Sequence, residues 1–264
     1  MIFLGAFISL LIGIVLGLVG GGGSILTVPL VHYLFGTSML LATTYSLIVV
    51  SVASGVGTLQ RLKSKQVDFK QGLIFVLPSM TAAFVIRRFI LPEIPESFEV
   101  AGFQMSLEII IAILLIGVML FTAIRTLISN RRPSSESATT LSILLFGILT
   151  GLLSGFIGAG GGFIIVPILI RLGMDIRKAV GTSMFIISIQ SAIALMGDLF
   201  NPQIAAEGGI DWVLLLVITL FTVSGVLLGT YLQRYFSGKI LRRVFSIILI
   251  AVALGILLQK LILN

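Results

Sequence analysis

The sequence GLVGGGGSILTVP, from Gly17 to Pro29, occurs a second time as GFIGAGGGFIIVP, from Gly155 to Pro167. The two copies share six identical positions at a constant offset of 138 residues, and the match continues outside the motif at Thr44 and Thr182. Glycine is a poor helix former and permits backbone conformations that other residues resist, so each cluster predicts an interrupted helix. The duplication indicates that the chain is built from two copies of one unit.

The composition indicates a membrane protein. Hydrophobic residues make up 58% of the chain and charged residues only 10%, and the mean hydropathy is +1.21. A soluble globule of 264 residues needs more polar surface than this. Eight apolar stretches follow one another, at residues 2–19, 39–58, 69–89, 105–128, 141–157, 176–197, 212–236 and 244–263. Most reach the ~20 residues that cross ~30 Å of hydrocarbon, and the alternation of barrel strands is absent. We therefore expect an all-α, multi-pass protein of the cell membrane.

Residue usage argues against several classes of function. The net charge of +7 comes from cations in short loops between apolar stretches, so we expect no nucleic-acid partner. The chain has no cysteine and one histidine, and Glu108 is the one carboxylate that falls within an apparent span. A membrane-embedded enzyme or metal site needs more ionisable groups than these. The sequence therefore predicts a protein without catalytic residues, cofactor or metal.

The distribution of charges predicts the orientation in the membrane. Fourteen of the seventeen cations fall on one side, which we expect to be cytoplasmic: Arg61, Lys63, Lys65, Lys70, Arg125, Arg131, Arg132, Arg171, Arg177, Lys178, Arg234, Lys239, Arg242 and Arg243. The other side has the acidic residues Glu93, Glu96, Glu99, Asp198, Glu207 and Asp211, with Arg87, Arg88 and Lys260 as the exceptions. Arg87 and Arg88 either draw anions into an outer vestibule or pair with Glu93 and Glu96.

This orientation predicts two inverted repeats in one domain of residues 1–264. The stretch 39–58 runs inward, whereas its counterpart 176–197 runs outward. Each half must then contain an odd number of crossings, which means three full transmembrane helices plus a glycine-broken re-entrant unit. We place repeat 1 at residues 1–130, a linker at residues 131–138 within a hydrophilic stretch, and repeat 2 at residues 139–264. Both termini are then non-cytoplasmic.

The glycine clusters suggest an anion site near the middle of the membrane. The arms that follow them, residues 24–35 and 162–172, are about 16 to 18 Å long, roughly half a membrane. A helix that begins near Gly23 and Ser24, or near Gly161 and Gly162, directs free backbone N–H groups and a partial positive charge inward. Starts at the following prolines are the alternative. Another reading of the glycines is that they only allow helices to pack closely.

Hydroxyl and amide side chains follow each cluster in the next helix and complete the predicted substrate-binding site. That site consists of Gly22, Gly23, Ser24, Thr44, Ser46, Gly160, Gly161, Gly162, Thr182, Ser183 and Gln190. Buried Ser and Thr also commonly bond the carbonyls of their own helix, which is the alternative for each hydroxyl. His32, the single histidine, lies in the first arm, where it is a candidate for proton coupling.

The pattern GxxGxGGGFxxVP at residues 155–167, followed by GTSMF from Gly181 to Phe185, resembles the TauE/SafE sulfite exporter family of membrane transporters. The resemblance covers roughly residues 5–260 and implies transport of sulfur-containing anions such as sulfite, sulfonates, sulfoacetate or thiosulfate. The first copy departs from the second, for example with Ser24 in place of Gly162. We expect a secondary transporter that works by alternating access, with a passive anion channel as the alternative. The exact anion, the coupling ion and homo-oligomerisation stay open.

Overall fold

The computed structural model describes residues 2–94, 97–100, 103–128, 140–199, 201, 204 and 209–263. The predicted linker at residues 131–138 lies outside these ranges, as do the acidic residues Glu96 and Glu207. Within them the regular secondary structure is helical except for one short antiparallel hairpin of β1 (Ser97–Val100) and β2 (Phe103–Ser106), which pairs Glu99 with Gln104. This hairpin was not predicted from the sequence.

Ten α-helical segments are present in the described part of the chain. They are α1 (Ile2–Val19), α2 (Thr27–Pro29), α3 (Met39–Leu62), α4 (Phe69–Val85), α5 (Leu107–Ile128), α6 (Thr140–Ile157), α7 (Gly162–Arg171), α8 (Ile176–Asp198), α9 (Trp212–Leu232) and α10 (Gly238–Leu263). Six helices there are long and apolar enough to cross a membrane, namely Ile2–Val19, Met39–Leu62, Phe69–Glu93, Thr140–Ile157, Ile176–Asp198 and Trp212–Tyr235. The prediction of an all-α, multi-pass membrane protein is confirmed.

Polar caps fix where four of the long helices begin. The side chains of Ser38, Asp68, Asp175 and Asp211 each accept a hydrogen bond from a backbone N–H in the first turn of the helix that follows. Such a cap satisfies a donor that has no partner within the helix. A short polar residue before each apolar run therefore sets the boundary between loop and helix.

Both glycine clusters break the chain as predicted, but in different ways. α1 ends at Val19, and Gly20 has φ 80° and ψ −154°, a conformation that is essentially restricted to glycine. Three glycines carry the second break, because Gly158, Gly160 and Gly161 have φ of 71°, 65° and 67°. α7 then begins at Gly162, where the sequence predicted a helix start.

The first arm begins at Gly21, earlier than the predicted start near Gly23, because Gly20 alone reverses the chain. It is helical throughout but changes type along its length. A 3-10 turn (Gly21–Leu26) leads into α2, and a π-helical turn (Leu30–Leu34) completes the arm. The second arm, α7, is a ten-residue α-helix, about 15 Å long at 1.5 Å per residue.

The helices pack in corresponding pairs. α1 packs against α9 as its counterpart α6 packs against α4, while α3 with α8 and α5 with α10 pair a helix with its own counterpart. Glycines allow the close contacts: a Cβ on Gly13 would meet the carbonyl of Thr222, and one on Gly151 would meet the carbonyl of Ser79. Two equivalent repeats produce this pattern of pairs. The inverted orientation of the repeats stays a prediction.

Candidate functional site

The two glycine breaks meet at the centre of the helix bundle. A Cβ on Gly21 would overlap the Cα atom of Gly162, and a Cβ on Gly162 would overlap the Cα atom of Gly21. Both would also meet the side chain of Ile187, which lies halfway along α8. Only residues without a side chain allow the two backbones to approach so closely. The crossing therefore places the starts of both short arms at the same central level.

Buried polar groups surround the second break. A Cβ on Gly160 would lie 2.7 Å from Oγ of Ser191, and one on Gly161 would lie 3.4 Å from Nε2 of Gln190. The amide of Gln190 is oriented by Ser79, whose hydroxyl donates to Oε1. Gln190 and Ser191 are fully buried, and within the described ranges Gln190 Nε2 and Ser191 Oγ have no hydrogen-bond partner. Unsatisfied buried groups of this kind are costly and invite a ligand.

Arg87 brings a cation to the same break. It lies in a π-helical turn (Ile86–Ile90) that continues α4, and its side chain is 0% exposed. Nη1 donates to Oγ1 of Thr43 at 3.0 Å and to Oδ2 of Asp198 at 2.9 Å. Nη2 is directed at the glycine break, since a Cβ on Gly158 would lie 2.6 Å from it. Nη2 and Nε have no partner among the residues that the structure describes.

This arrangement has the chemistry of an anion site. Arginine has five N–H donors in a rigid fork that matches an oxyanion, and among the described residues Arg87 has hydrogen-bond partners only at Nη1. Ionisable groups inside a membrane are expensive and mark ligand or ion pathways by default. The amide donor of Gln190 and the hydroxyl of Ser191 lie along the same stretch of broken backbone, from Gly158 to Gly161.

A cavity reaches the carboxylate that pairs with Arg87. It has a volume of about 230 Å³ and is lined by Thr44, Asp198, Leu199, Asn201, Ile204, Gly209, Ile210 and Trp212. A neighbouring cavity of about 550 Å³ is lined in part by Tyr45 and Asp211 and shares Gly209 with the first. Both lie at the end of the bundle where α3 and α9 begin, which the charge pattern predicts to be non-cytoplasmic.

The structure does not bring Thr44 and Thr182 together. α3 and α8 run antiparallel, and Ser51 of α3 donates to the carbonyl of Ser188 near the middle of both. Thr44 lies seven residues before Ser51 and Thr182 six before Ser188, so about 20 Å separates them along the helix axes. Thr44 donates to Oδ2 of Asp198 at 2.8 Å. Thr182 accepts from a backbone N–H of the α3–α4 loop instead, that of Asp68, at 2.9 Å.

Three further residues of the predicted site make contacts within the protein. Ser24 and Ser183 are buried and donate to carbonyls of their own helical turns, at 2.6 and 2.8 Å, as the alternative reading of such hydroxyls states. Gly23 packs against α1, because a Cβ there would lie 2.6 Å from the backbone nitrogen of Leu16. Close packing therefore accounts for Gly23, while Gly160 and Gly161 face unpartnered polar groups.

The remaining predicted residues are Ser46, Gly22 and His32. Ser46 is fully buried, and its hydroxyl has no partner in the described part of the chain. Gly22 lies within the 3-10 turn. His32 is half-buried near the end of the first arm, and its Nδ1 lies 2.7 Å from the carbonyl of Thr37. Its role in proton coupling stays a prediction.

The end of α1 shows how the first break is stabilised. Because the helix stops at Val19, its last carbonyls lack the partners that a continuing helix supplies. Arg61, 1% exposed, donates from Nη2 to the carbonyl of Gly17 at 2.8 Å, and Gln233 donates to that of Leu18 at 2.7 Å. A cation at this position also complements the negative end of the helix dipole.

Arg87 and Asp198 were not among the residues predicted for the central site, since the sequence suggested for Arg87 either a role in an outer vestibule or a pair with Glu93 and Glu96. From the sequence, Asp198 was placed with the outer acidic residues and Glu108 was named as the one carboxylate in a span, whereas Asp198 is 1% exposed and pairs with Arg87. The side chain of Glu108 lies outside the described part of the structure. One signal in the sequence could have identified them, since each of the two residues ends an apolar run. A charge at such a position is costly in a membrane and therefore indicates a function.

Comparisons with known proteins agree with this architecture. A family model described as "Sulfite exporter TauE/SafE" matches residues 5–256. The chain belongs to this family. It is 29% identical over 251 residues to a "Probable membrane transporter protein" of Xylella fastidiosa (strain 9a5c), covering 94% of this chain and 91% of that protein. It is 27% identical to the "Probable membrane transporter protein YunE" of Bacillus subtilis (strain 168), covering 93% of each. No solved structure matches the chain.

Membership of the TauE/SafE family makes the chain a multi-pass membrane transporter, with a lipid bilayer as its environment and a small molecule or ion as its substrate. Within the described ranges, no group of three histidine or acidic side chains is placed to hold a metal ion. The buried groups that the breaks bring together are instead donors: a guanidinium, an amide and hydroxyls.

Proposed function

We propose that this TauE/SafE protein is a secondary transporter of small anions, most of all sulfur oxyanions, that binds its substrate where the second glycine break passes Arg87. The observation that carries the proposal is the free edge of the Arg87 guanidinium. A fully buried cation directs Nη2 at Gly158 and leaves both Nη2 and Nε without a partner among the described residues. In a membrane, an anion is the ligand that such a group favours.

The choice of sulfur oxyanions rests on the shape of the donors and on the family. A sulfonate or sulfite head has three oxygens in a pyramid, and the arginine fork binds two oxygens of one head at the same time. The Nε2 donor of Gln190 and the hydroxyl of Ser191, which lie beside Gly161 and Gly160 on the same broken backbone, are then the proposed donors to the third oxygen. The family carries the description "Sulfite exporter", which agrees with a ligand of this kind.

Alternating access follows from the crossing of the two arms. Gly21 and Gly162 touch at the middle of α8, so the arms can block the path on either side of one central site. A rocking of the arms about this crossing would open the site first to one face and then to the other. Backbone N–H groups at the start of α7 add partial positive charge at the same level.

Flux measurements in proteoliposomes test the proposal. Radiolabelled sulfite, thiosulfate and sulfoacetate are offered to the purified protein, with acetate as a carboxylate for comparison. We expect saturable uptake of at least one sulfur anion and counterflow driven by the same unlabelled anion inside the vesicle. Flux that does not saturate and shows no counterflow would support the passive channel instead.

Arg87→Lys is the decisive variant, with Arg88→Lys as its matched control. Lysine keeps the charge beside Asp198 but loses the fork, so we expect about a ten- to hundredfold weaker affinity, the effect of removing a hydrogen bond of ~1.5 to 3 kcal/mol to a charged ligand. Arg88 is half-buried on the neighbouring position, and its replacement should leave the affinity nearly unchanged. Equal effects of the two substitutions would contradict a site at Arg87.

A further inference from the structure

We propose that Asp198 and the anion alternate as the counter-charge of Arg87: when the anion binds at the free Nε–Nη2 edge of the guanidinium, Asp198 binds a proton, and anion and proton cross the membrane together. The inference rests on the proposed anion site and adds its coupling ion. The geometry behind it is a charge pair that lies at the glycine break on one side and lines a cavity on the other.

Charge balance at the site requires a compensating cation. Arg87 and Asp198 are 0% and 1% exposed, and in the described part of the chain they form a pair with no net charge. An anion added to this pair would leave an uncompensated negative charge away from water, which is costly. One proton on the Asp198 carboxylate restores neutrality when the anion carries a single charge, as a sulfonate does, and halves the excess charge of a dianion such as thiosulfate.

The hydrogen bonds around Asp198 are compatible with both the ionised and the protonated carboxyl group. Thr44 Oγ1 lies 2.8 Å from Oδ2 of Asp198 and 3.2 Å from the carbonyl oxygen of Leu40, yet a hydroxyl has only one proton to donate. With Asp198 ionised, Thr44 donates to the carboxylate. With Asp198 protonated, the new O–H donates to Thr44, and Thr44 turns its own proton to Leu40. Both states keep every group satisfied without moving a heavy atom.

The neighbouring threonine, Thr43, cannot redirect its hydroxyl proton in the way that Thr44 can. Its hydroxyl donates to the carbonyl of Leu40 at 2.7 Å and accepts from Nη1 of Arg87 at 3.0 Å, so its proton has a fixed place. Thr43 holds the guanidinium in both states. Thr44 is therefore the hydroxyl of this pair that can respond to the charge of Asp198.

The groups that face Asp198 are a guanidinium, hydroxyls and the lining of a cavity, so Asp198 is the group of this cluster that can bind the proton. The turn after α4 contributes Arg87, and α3 contributes the hydroxyls of Thr43 and Thr44. The cavity on its other side is lined by Asn201, after α8, and by Trp212 of α9. Asp211 caps α9 and lines the neighbouring cavity. The proton comes from water in the cavity beside Asp198 and returns to water when the anion leaves.

The first experiment measures protons in the wild-type protein. Thiosulfate and isethionate are the probes. Neither anion binds or releases a proton near neutral pH, so any proton that is taken up is bound by the protein. In weakly buffered detergent solution we expect uptake of about one proton per bound probe, since one carboxylate is neutralised. In proteoliposomes with an internal pH dye, uptake of either probe should acidify the lumen. Saturable uptake without proton movement would overturn the coupling and leave the anion transporter intact.

The second experiment separates exchange from coupled flux in Asp198→Asn, with Asp211→Asn as the matched control. The amide has no proton to release, so we expect counterflow of thiosulfate within about threefold of the wild type, while uptake driven by a pH gradient falls at least about tenfold. Asp211→Asn should keep both activities. If a pH gradient still drives thiosulfate accumulation by the Asp198→Asn protein, Asp198 is not the coupling group.

A binding measurement keeps the test valid if Asp198→Asn folds poorly. The variant leaves Arg87 buried without a counter-charge, so a bound anion should stabilise it more than it stabilises the wild type. We therefore expect a larger rise in Tm with thiosulfate in the variant and no proton uptake on binding. An equal or smaller rise in Tm would contradict replacement of Asp198 by the anion as the counter-charge of Arg87. Absence of any anion binding or flux, in wild type and variants alike, would instead remove the proposed function.

Discussion

Oδ2 of Asp198 lies 2.9 Å from Nη1 of Arg87, although 111 residues separate them along the chain. The pair ties the end of α8 to the turn that continues α4. It also fixes the guanidinium so that its free edge meets the second glycine break at Gly158. Stability and substrate binding therefore depend on the same two side chains, and substitutions should separate the two effects.

A double-mutant cycle should show that the pair is coupled. Arg87→Gln leaves the carboxylate buried without a counter-charge, so we expect a loss of about 3 to 5 kcal/mol in stability, because breaking one side of a buried pair has a cost of this size. Adding Asp198→Asn removes the orphaned charge and should restore most of the Tm in detergent. Anion transport should stay lost in the double variant. A double variant no more stable than Arg87→Gln would show that the two charges do not interact.

The crossing of the two breaks should reject any side chain. A Cβ in Gly162→Ala would overlap the backbone of Gly21, so we expect a loss of about 1 to 3 kcal/mol from overpacking and little or no transport. Gly255→Ala is the matched control, since this helical glycine has open space around it and alanine favours the helix. Thermal unfolding and flux measure both effects. Similar behaviour of the two variants would argue against a tight crossing.

Arg61 should stabilise the end of α1 without binding substrate. Arg61→Met removes the donor to the Gly17 carbonyl, and the free energy of unfolding should fall by about 1.5 to 3 kcal/mol, as for a hydrogen bond from a charged group. Lys63→Met, two residues further along the chain at an exposed position, should change the Tm little. The thiosulfate affinity of the folded Arg61→Met protein should match the wild type. A large loss of affinity would place Arg61 at the substrate site.

Cysteine labelling should establish the orientation, since the natural chain has no cysteine to remove. The charge pattern predicts that Lys63→Cys and Arg132→Cys face the cytoplasm and resist an impermeant thiol reagent in intact cells. Glu93→Cys, at an exposed position near the other end of the bundle, should react from outside. Labelling of both basic loops from outside would reverse the predicted orientation, and labelling of only one of them would contradict the inverted repeats.

The main features of the fold follow from local sequence. Apolar length predicts the spanning helices, and the clusters that begin at Gly20 and Gly158 predict the breaks, because a positive φ needs glycine. The earlier start of the first arm was not predictable, since four consecutive glycines do not show which one turns the chain. The β1–β2 hairpin was missed because its strands have four residues each, too short for their alternating pattern to stand out between two long apolar stretches.

The candidate site was only partly predictable. Gly160, Gly161 and Gln190, which lie at the candidate site, could be named from the sequence because the repeat marks the break and the helix that follows it. The pairing of Arg87 with Asp198 joins residues from different repeats, and no local period predicts such a contact. Thr182 was predicted to share one site with Thr44 because the two residues correspond in the repeat. In the structure, α3 and α8 run antiparallel, so the two threonines lie at opposite ends of the bundle.

The most direct test of the central claim locates a bound anion in the protein. Selenite has the pyramidal shape of sulfite and scatters anomalously, and a chain without cysteine offers no thiol with which it can react. Anomalous diffraction from crystals grown with selenite should give a peak within about 4 Å of Nη2 of Arg87, against the backbone from Gly158 to Gly161, as hydrogen bonding to the selenite oxygens requires. A selenium peak more than about 10 Å from both glycine breaks, farther than any hydrogen bond reaches, would contradict the account.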